Sequence, residues 1–164
     1  GYLKHHNADY EKWIVEDVIS VVKDNYKEVS DASPVFLAGL SMGGYGALRL
    51  GAKYPNVFKA FSGLSSITRF DQMGKFVENF DLLKKAIESE ENVIDIMLAH
   101  KASLRPFRFD CGKDDTLFEA NQILDKQLNE HNIPHEFLIK EGAHSWEYWH
   151  DNIGETFLFF NEQI

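Results

Sequence analysis

The chain has 164 residues, 44 % hydrophobic, 13 % aromatic and 26 % charged, which excludes a disordered, collagenous or disulfide-scaffold protein and fits one folded domain. Its net charge is −9, and without a basic stripe this argues against nucleic acid or an anionic membrane as partner. The single cysteine, Cys111, allows no internal disulfide and no structural zinc site by itself, and no apolar run nears the roughly 20 residues of a membrane span.

The start, Gly1-Tyr2-Leu3-Lys4-His5-His6, has neither Met nor an apolar leader. The natural start is therefore expected upstream, and the compartment, cytoplasmic or exported, stays open. Tyr10 to Tyr26 reads as an amphipathic helix capped by Asp9, with Tyr10, Ile14, Val18 and Val21 or Val22 on its apolar face. Asp31-Ala32-Ser33-Pro34 is a turn. Val35 to Gly39 is apolar without alternation, the mark of a strand buried on both faces in a parallel sheet. A helix over Gly43 to Tyr54 stops at Pro55, and Val57 to Leu64 reads as the second strand.

Residues 66–105 read as a helical insertion of two or three short helices with lid-like character. Pro106 to Cys111 is the third strand. Thr116 with Glu119 fits a capping box for the next helix, which Leu117, Leu124 and Leu128 line. His135 to Lys140 is the fourth strand. Trp146, Trp149, Ile153, Phe157 and Phe160 form the apolar stripe of a closing helix. No repeat or linker interrupts 1–164, so a single α/β domain with a parallel sheet of about four strands is expected.

Gly39-Leu40-Ser41-Met42-Gly43 is a Gly-x-Ser-x-Gly sequence between a buried strand and a helix, the context in which a serine is exposed on a sharp turn as a nucleophile. The Met42 N–H, in the first helical turn, then points at a developing oxyanion. An incidental serine in a Gly-rich turn is the plainer reading of the pentapeptide alone. A serine nucleophile needs a base and a carboxylate that holds the base, in the chain order Ser, acid, His. His144 lies directly after the fourth strand, where a base belongs. The other six histidines, the His5-His6 pair among them, are read as solvated, and no spacing supports a metal. Asp114 and Asp115 both follow the third strand and either could also cap the next helix; the Gly-x-x-Asp spacing favours Asp115. Cys111 reads as a small buried residue. Trp146 and Trp149 read as core, with Trp146 a candidate border of a substrate pocket. Glu88 to Glu91 reads as a solvated face.

Together, Gly39 to Ala47, Tyr54-Pro55 and Phe58, Ser62-Gly63, Cys111 to Asp115, and Gly142 to Trp146 with Trp149 resemble the esterase family of S-formylglutathione hydrolases, tributyrin esterases, acetylxylan and feruloyl esterases and mycolyltransferases. The Asn7-Ala8-Asp9-Tyr10-Glu11 segment is similar too. The resemblance covers nearly the whole chain and is weakest between Thr68 and Lys101. It implies an α/β-hydrolase fold and cofactor-free hydrolysis of small carboxylic esters, with Ser41 as nucleophile, Asp115 as acid, His144 as base and the Met42 N–H as oxyanion donor. The same triad also serves acyl transfer and peptide hydrolysis. A neutral His144 is needed, so activity should fall below about pH 6 unless Asp115 raises its pKa.

The family's N-terminal part, roughly a hundred residues with the first strands and a second oxyanion N–H, has no counterpart here, and nothing before Tyr10 is expected to supply that donor. Loss of one donor typically costs about 10²–10³-fold in rate. The Val35 to Gly39 strand is then an exposed apolar edge, expected to be covered by a missing N-terminal segment or a second copy. A non-catalytic fragment that associates through this edge is the alternative from another class.

Overall fold

The computed structural model describes residues 2–164, so Gly1 lies outside it. A two-stranded antiparallel ribbon, β1 (Lys4–His5) and β2 (Ala8–Asp9), opens the chain. A continuous helical run follows as α1 (Tyr10–Lys12), a π-helical stretch (Trp13–Val18) and α2 (Ile19–Asn25). Asp9 caps it as expected, its carboxylate accepting the Lys12 N–H at 2.9 Å.

The buried face of this run differs from the expected one. Val15 and Glu11 are buried, while Tyr10, Val18, Val21 and Val22 are exposed. The π stretch adds residues to the turn and so shifts every later side chain off the face that an unbroken 3.6-residue period assigns.

The main sheet is fully parallel, in the order β3 (Phe36–Leu40), β4 (Ala60–Leu64), β5 (Phe107–Gly112), β6 (Glu136–Lys140). These are the four expected strands, shifted by one residue or shortened at the start. The register pairs Leu40 with Leu64, Leu64 with Asp110, and Gly112 with Lys140. All four strands therefore end along one edge, and the loops that follow them meet there. Among the described residues β3 pairs only with β4, and its Ala38 is exposed, so the edge expected from the sequence is open there.

Helix α3 (Met42–Lys53) packs on β3 and β4. On the same side lie α5 (Val93–Ala99) and α6 (Phe118–Glu130), with Phe61, Phe107 and Phe109 of the sheet in one shared core. The opposite side is covered by α7 (Trp146–Asn161), through Tyr148, Trp149 and Ile153 against Leu40 and Leu64, and through Phe160 stacked on Phe36 at 4.9 Å. The stripe of α7 is only partly buried: Trp149 and Phe160 are, but Phe157 and Trp146 are exposed, and among the described residues no strand lies beyond β3 for them to pack on.

The 66–105 segment holds a 3₁₀ turn (Phe70–Lys75), α4 (Phe80–Ala86), α5 and a second 3₁₀ turn (Lys101–Ser103). Its Phe70, Met73, Val93 and Met97 are buried in the main core, so the segment is built into the fold. The expected Thr116 capping box does not form. Leu117 is the N-cap of α6 and makes no side-chain cap bond; Asp115 Oδ1 accepts the Leu117 N–H instead, at 2.8 Å.

Glu91 is not on a solvated face. Its carboxylate, with that of Glu11, pairs with Arg49 and Lys53. His135 likewise is not solvated: it stacks between Phe107 and Phe109 and pairs with Asp125 at 2.9 Å. No helix among the described residues is long and apolar enough to cross a membrane.

Candidate active site

Ser41 stands between β3 and α3 with φ +53° and ψ −117°, a backbone conformation that a non-glycine residue holds only where its surroundings enforce it. Two things enforce it. The Ser41 N–H donates to the Leu64 carbonyl at 2.9 Å, and the Ser41 carbonyl accepts from Tyr45 and Ile67. The turn is also too tight for a side chain at Gly39, where a Cβ would lie 2.1 Å from the Gly43 carbonyl oxygen. Met42 is the first residue of α3, so its N–H has no acceptor within the helix.

The strand register brings Asp115 and His144 to the same point. His144 Nε2 lies 2.9 Å from Ser41 Oγ. Its Nδ1 lies 2.8 Å and 3.0 Å from the two Asp115 carboxylate oxygens. A neutral imidazole with its proton on Nδ1 donates to Asp115 and accepts the Ser41 hydroxyl. Of the two sequence candidates, Asp115 is buried against His144, while Asp114 is exposed and its N–H donates to the Gly142 carbonyl at 3.0 Å.

Burial pushes the Asp115 carboxyl up, but the bonds from His144 and the Leu117 N–H outweigh it and hold the group below the ordinary 3.8. A carboxylate shifted down stabilises the fold above its unfolded pKa, and that contribution fades as pH falls through the folded value.

The His144 ring is bracketed by aromatics. Phe76 stacks on it at 5.2 Å, and Trp149 meets it edge-on at 4.9 Å. Trp149 is buried, but Trp146, expected in the core, is 74 % exposed and meets Trp149 edge-on at 5.2 Å. Both tryptophans line a cavity of about 840 Å³ that opens beside Ser41 and runs along the free edge of β3, walled by Leu37, Leu40, Met42, Leu64 and Ile153. Cys111 is buried and its thiol is pushed well above its usual range by burial. Among the described residues no group of three or more His, Cys, Asp or Glu could hold a metal.

Sequence reasoning missed three participants. Tyr2 lines the cavity next to Met42 and Gly43, with its ring against Gly46. Phe76 lies in a segment whose periodicity is weak. Tyr148 looked like an ordinary helix residue, yet is buried and bonded to Asp110 at 2.9 Å. Only tertiary packing distinguishes these three from their neighbours.

Residues 3–160 match the Esterase family, described as "Putative esterase". The chain is 27 % identical over 168 residues to an acetyl esterase of Caldicellulosiruptor saccharolyticus, covering 92 % of this chain and 63 % of that protein. Among solved structures it is similar to a ferulic acid esterase (TM-score 0.82, 24 % identity, 99 % of this chain and 64 % of that one). It is also similar to the fluorophosphonate-binding serine hydrolase FphF of Staphylococcus aureus (TM-score 0.78, 25 % identity, 92 % and 63 %), and to an S-formylglutathione hydrolase of Agrobacterium tumefaciens (TM-score 0.81, 18 % identity, 99 % and 62 %). These likenesses show an α/β-hydrolase fold. The chain spans just under two thirds of the length of these relatives.

Proposed function

Because this chain belongs to the esterase family, we propose that it carries the catalytic centre of a serine carboxylic ester hydrolase. The carrying observation is the unbroken relay of hydrogen-bond distances, 2.9 Å from Ser41 to His144 and 2.8 Å from His144 to Asp115. In this reading the Ser41 oxygen attacks the ester carbonyl carbon as its proton passes to His144 Nε2. Asp115, a carboxylate throughout, stabilises the imidazolium that forms. The Met42 N–H donates to the oxyanion. His144 then returns the proton to the departing alcohol oxygen and an acyl-Ser41 ester remains. Water, deprotonated by His144, hydrolyses that ester and restores the serine.

The apolar cavity beside Ser41 supports a small ester with an apolar portion as substrate, in keeping with the acetyl esterase among the relatives. Intact mass after incubation with a fluorophosphonate tests the reading. One adduct, located on Ser41, is expected; a folded protein that stays unlabelled would falsify it.

The free edge of β3 supports a second part of the proposal: another strand pairs there, from chain outside these residues or from a second copy. Amides of Phe36–Leu40 that face away from β4 should then exchange slowly in the intact protein. Exchange at the rate of an open loop would remove this part.

A further inference from the structure

The loop that carries His144 is short, running from the end of β6 at Lys140 to the start of α7 at Trp146. The imidazole can stay within 2.9 Å of Ser41 and 2.8 Å of Asp115 only if this loop is held against the loop that follows β5. Two backbone bonds do part of this: the Lys113 N–H donates to the Lys140 carbonyl at 2.9 Å, and the Asp114 N–H to the Gly142 carbonyl at 3.0 Å.

A side chain does the rest. Tyr148 lies one turn into α7, four residues after His144, and its N–H donates to the Ser145 hydroxyl, the cap of that helix, at 3.3 Å. Its ring packs under the loop. A Cβ at Gly142 (φ +127°) would come 2.8 Å from the ring, and one at Gly112 would come 3.3 Å from it. The Tyr148 hydroxyl donates to Asp110 Oδ1 at 2.9 Å. Asp110 is fully buried on β5, five residues before Asp115. The strand that leads to the acid thus also anchors the helix that follows the base. Burial raises the Asp110 carboxyl to about 6, so the fold keeps a carboxyl here at a cost, and none of its atoms reaches the reacting centre described above.

Resting on the esterase reading, we propose that Tyr148 and Asp110 are positioning residues: their hydrogen bond holds His144 in register with Ser41 and Asp115. Tyr148→Phe removes one oxygen and leaves the ring under Gly142. With active sites titrated by a fluorophosphonate, so that kcat is counted per reactive Ser41, Tyr148→Phe should lower kcat about tenfold and leave KM unchanged. Asp110→Ala should do the same. Asp110→Ala also removes the 3.7 Å contact of Asp110 with Arg108, so the double variant should be no slower than Asp110→Ala, because the Tyr148–Asp110 bond is already lost in it. Asp110→Asn keeps an acceptor for the hydroxyl and should stand nearer to the parent than Asp110→Ala.

An unchanged per-site kcat in Tyr148→Phe, losses that multiply in the double variant, or a loss confined to KM or to the fraction of titratable sites overturns the proposal. If Tyr148→Phe does not fold, the comparison of Asp110→Ala with Asp110→Asn decides, and equal kcat in the two overturns it. A parent protein that takes up no fluorophosphonate overturns the esterase reading instead, which keeps the two failures apart.

Discussion

Ser41→Ala should lower kcat for a soluble ester by about 10⁵–10⁶-fold while the protein stays folded. The substitution removes one oxygen from a turn whose conformation is held by the Leu64, Tyr45 and Ile67 backbone bonds and by the closeness of Gly39 to Gly43. The His144–Asp115 pair remains but has no nucleophile to deprotonate. On the esterase reading, what residual rate survives comes from the Met42 N–H and from binding, so adding His144→Ala should cost little more. The check is kcat of purified variant against parent, with a mass-verified absence of parent contamination. A Ser41→Ala variant that turns over within about tenfold of the parent shows that another group does the chemistry.

Arg49→Met should destabilise the fold by about 3–5 kcal/mol at pH 7, the usual consequence of removing one partner from a buried ionic cluster. Arg49 is fully buried in α3. Its guanidinium bonds the carboxylates of Glu11 and Glu91 and the Tyr2 carbonyl, joining the first helical run, the helix behind Ser41 and the stretch between α4 and α5. Without it, two carboxylates share the site with only Lys53 as counter-ion, which sits 2.9 Å from Glu11 and 3.3 Å from Glu91.

The pH dependence adds a second readout. Burial opposes ionisation of Glu11, but bonds from Tyr54, Lys53 and Arg49 bring its pKa below the ordinary 4.5. A lowered carboxyl pKa contributes stability above the unfolded value and loses it as pH falls through the folded value. The Arg49→Met penalty should therefore be largest near neutral pH and shrink as the solution is brought well below pH 4.5. In thermal unfolding the neutral-pH loss corresponds to roughly 10 °C for a domain of this size. A midpoint that does not move at pH 7 shows that the cluster contributes nothing net.

The parallel sheet, its four strands along the chain and the loops that carry Ser41, Asp115 and His144 were legible because each rests on a local signal. A strand buried on both faces shows as an unbroken apolar run, and glycines mark the turn that a Cβ would block. The helices at the rim were less legible. The run from Tyr10 exposes Val18, Val21 and Val22 because the π stretch shifts the face of every side chain from Trp13 onward. Glu91 belongs to the Arg49 cluster and His135 to an aromatic stack, although both lie in polar stretches. Asp114 and Asp115 are chemically alike and adjacent, and only the path of the loop after β5 sets one against His144.

By itself the sequence determined the fold class and the strand-to-helix turn that exposes Ser41, since these follow from periodicity and from backbone needs within a few residues, while the order of serine, aspartate and histidine and the open edge at Val35 to Gly39 came from the resemblance to the esterase family. The tertiary structure decided which carboxylate meets the imidazole, which aromatics bracket it, and that Tyr148 and Asp110 tie the helix after His144 to the strand before Asp115. The Asp115–His144, Tyr148–Asp110 and Phe76–His144 relations join residues 29 to 68 positions apart, and a contact of that span leaves no periodic trace in the chain, because it is set by how whole elements pack.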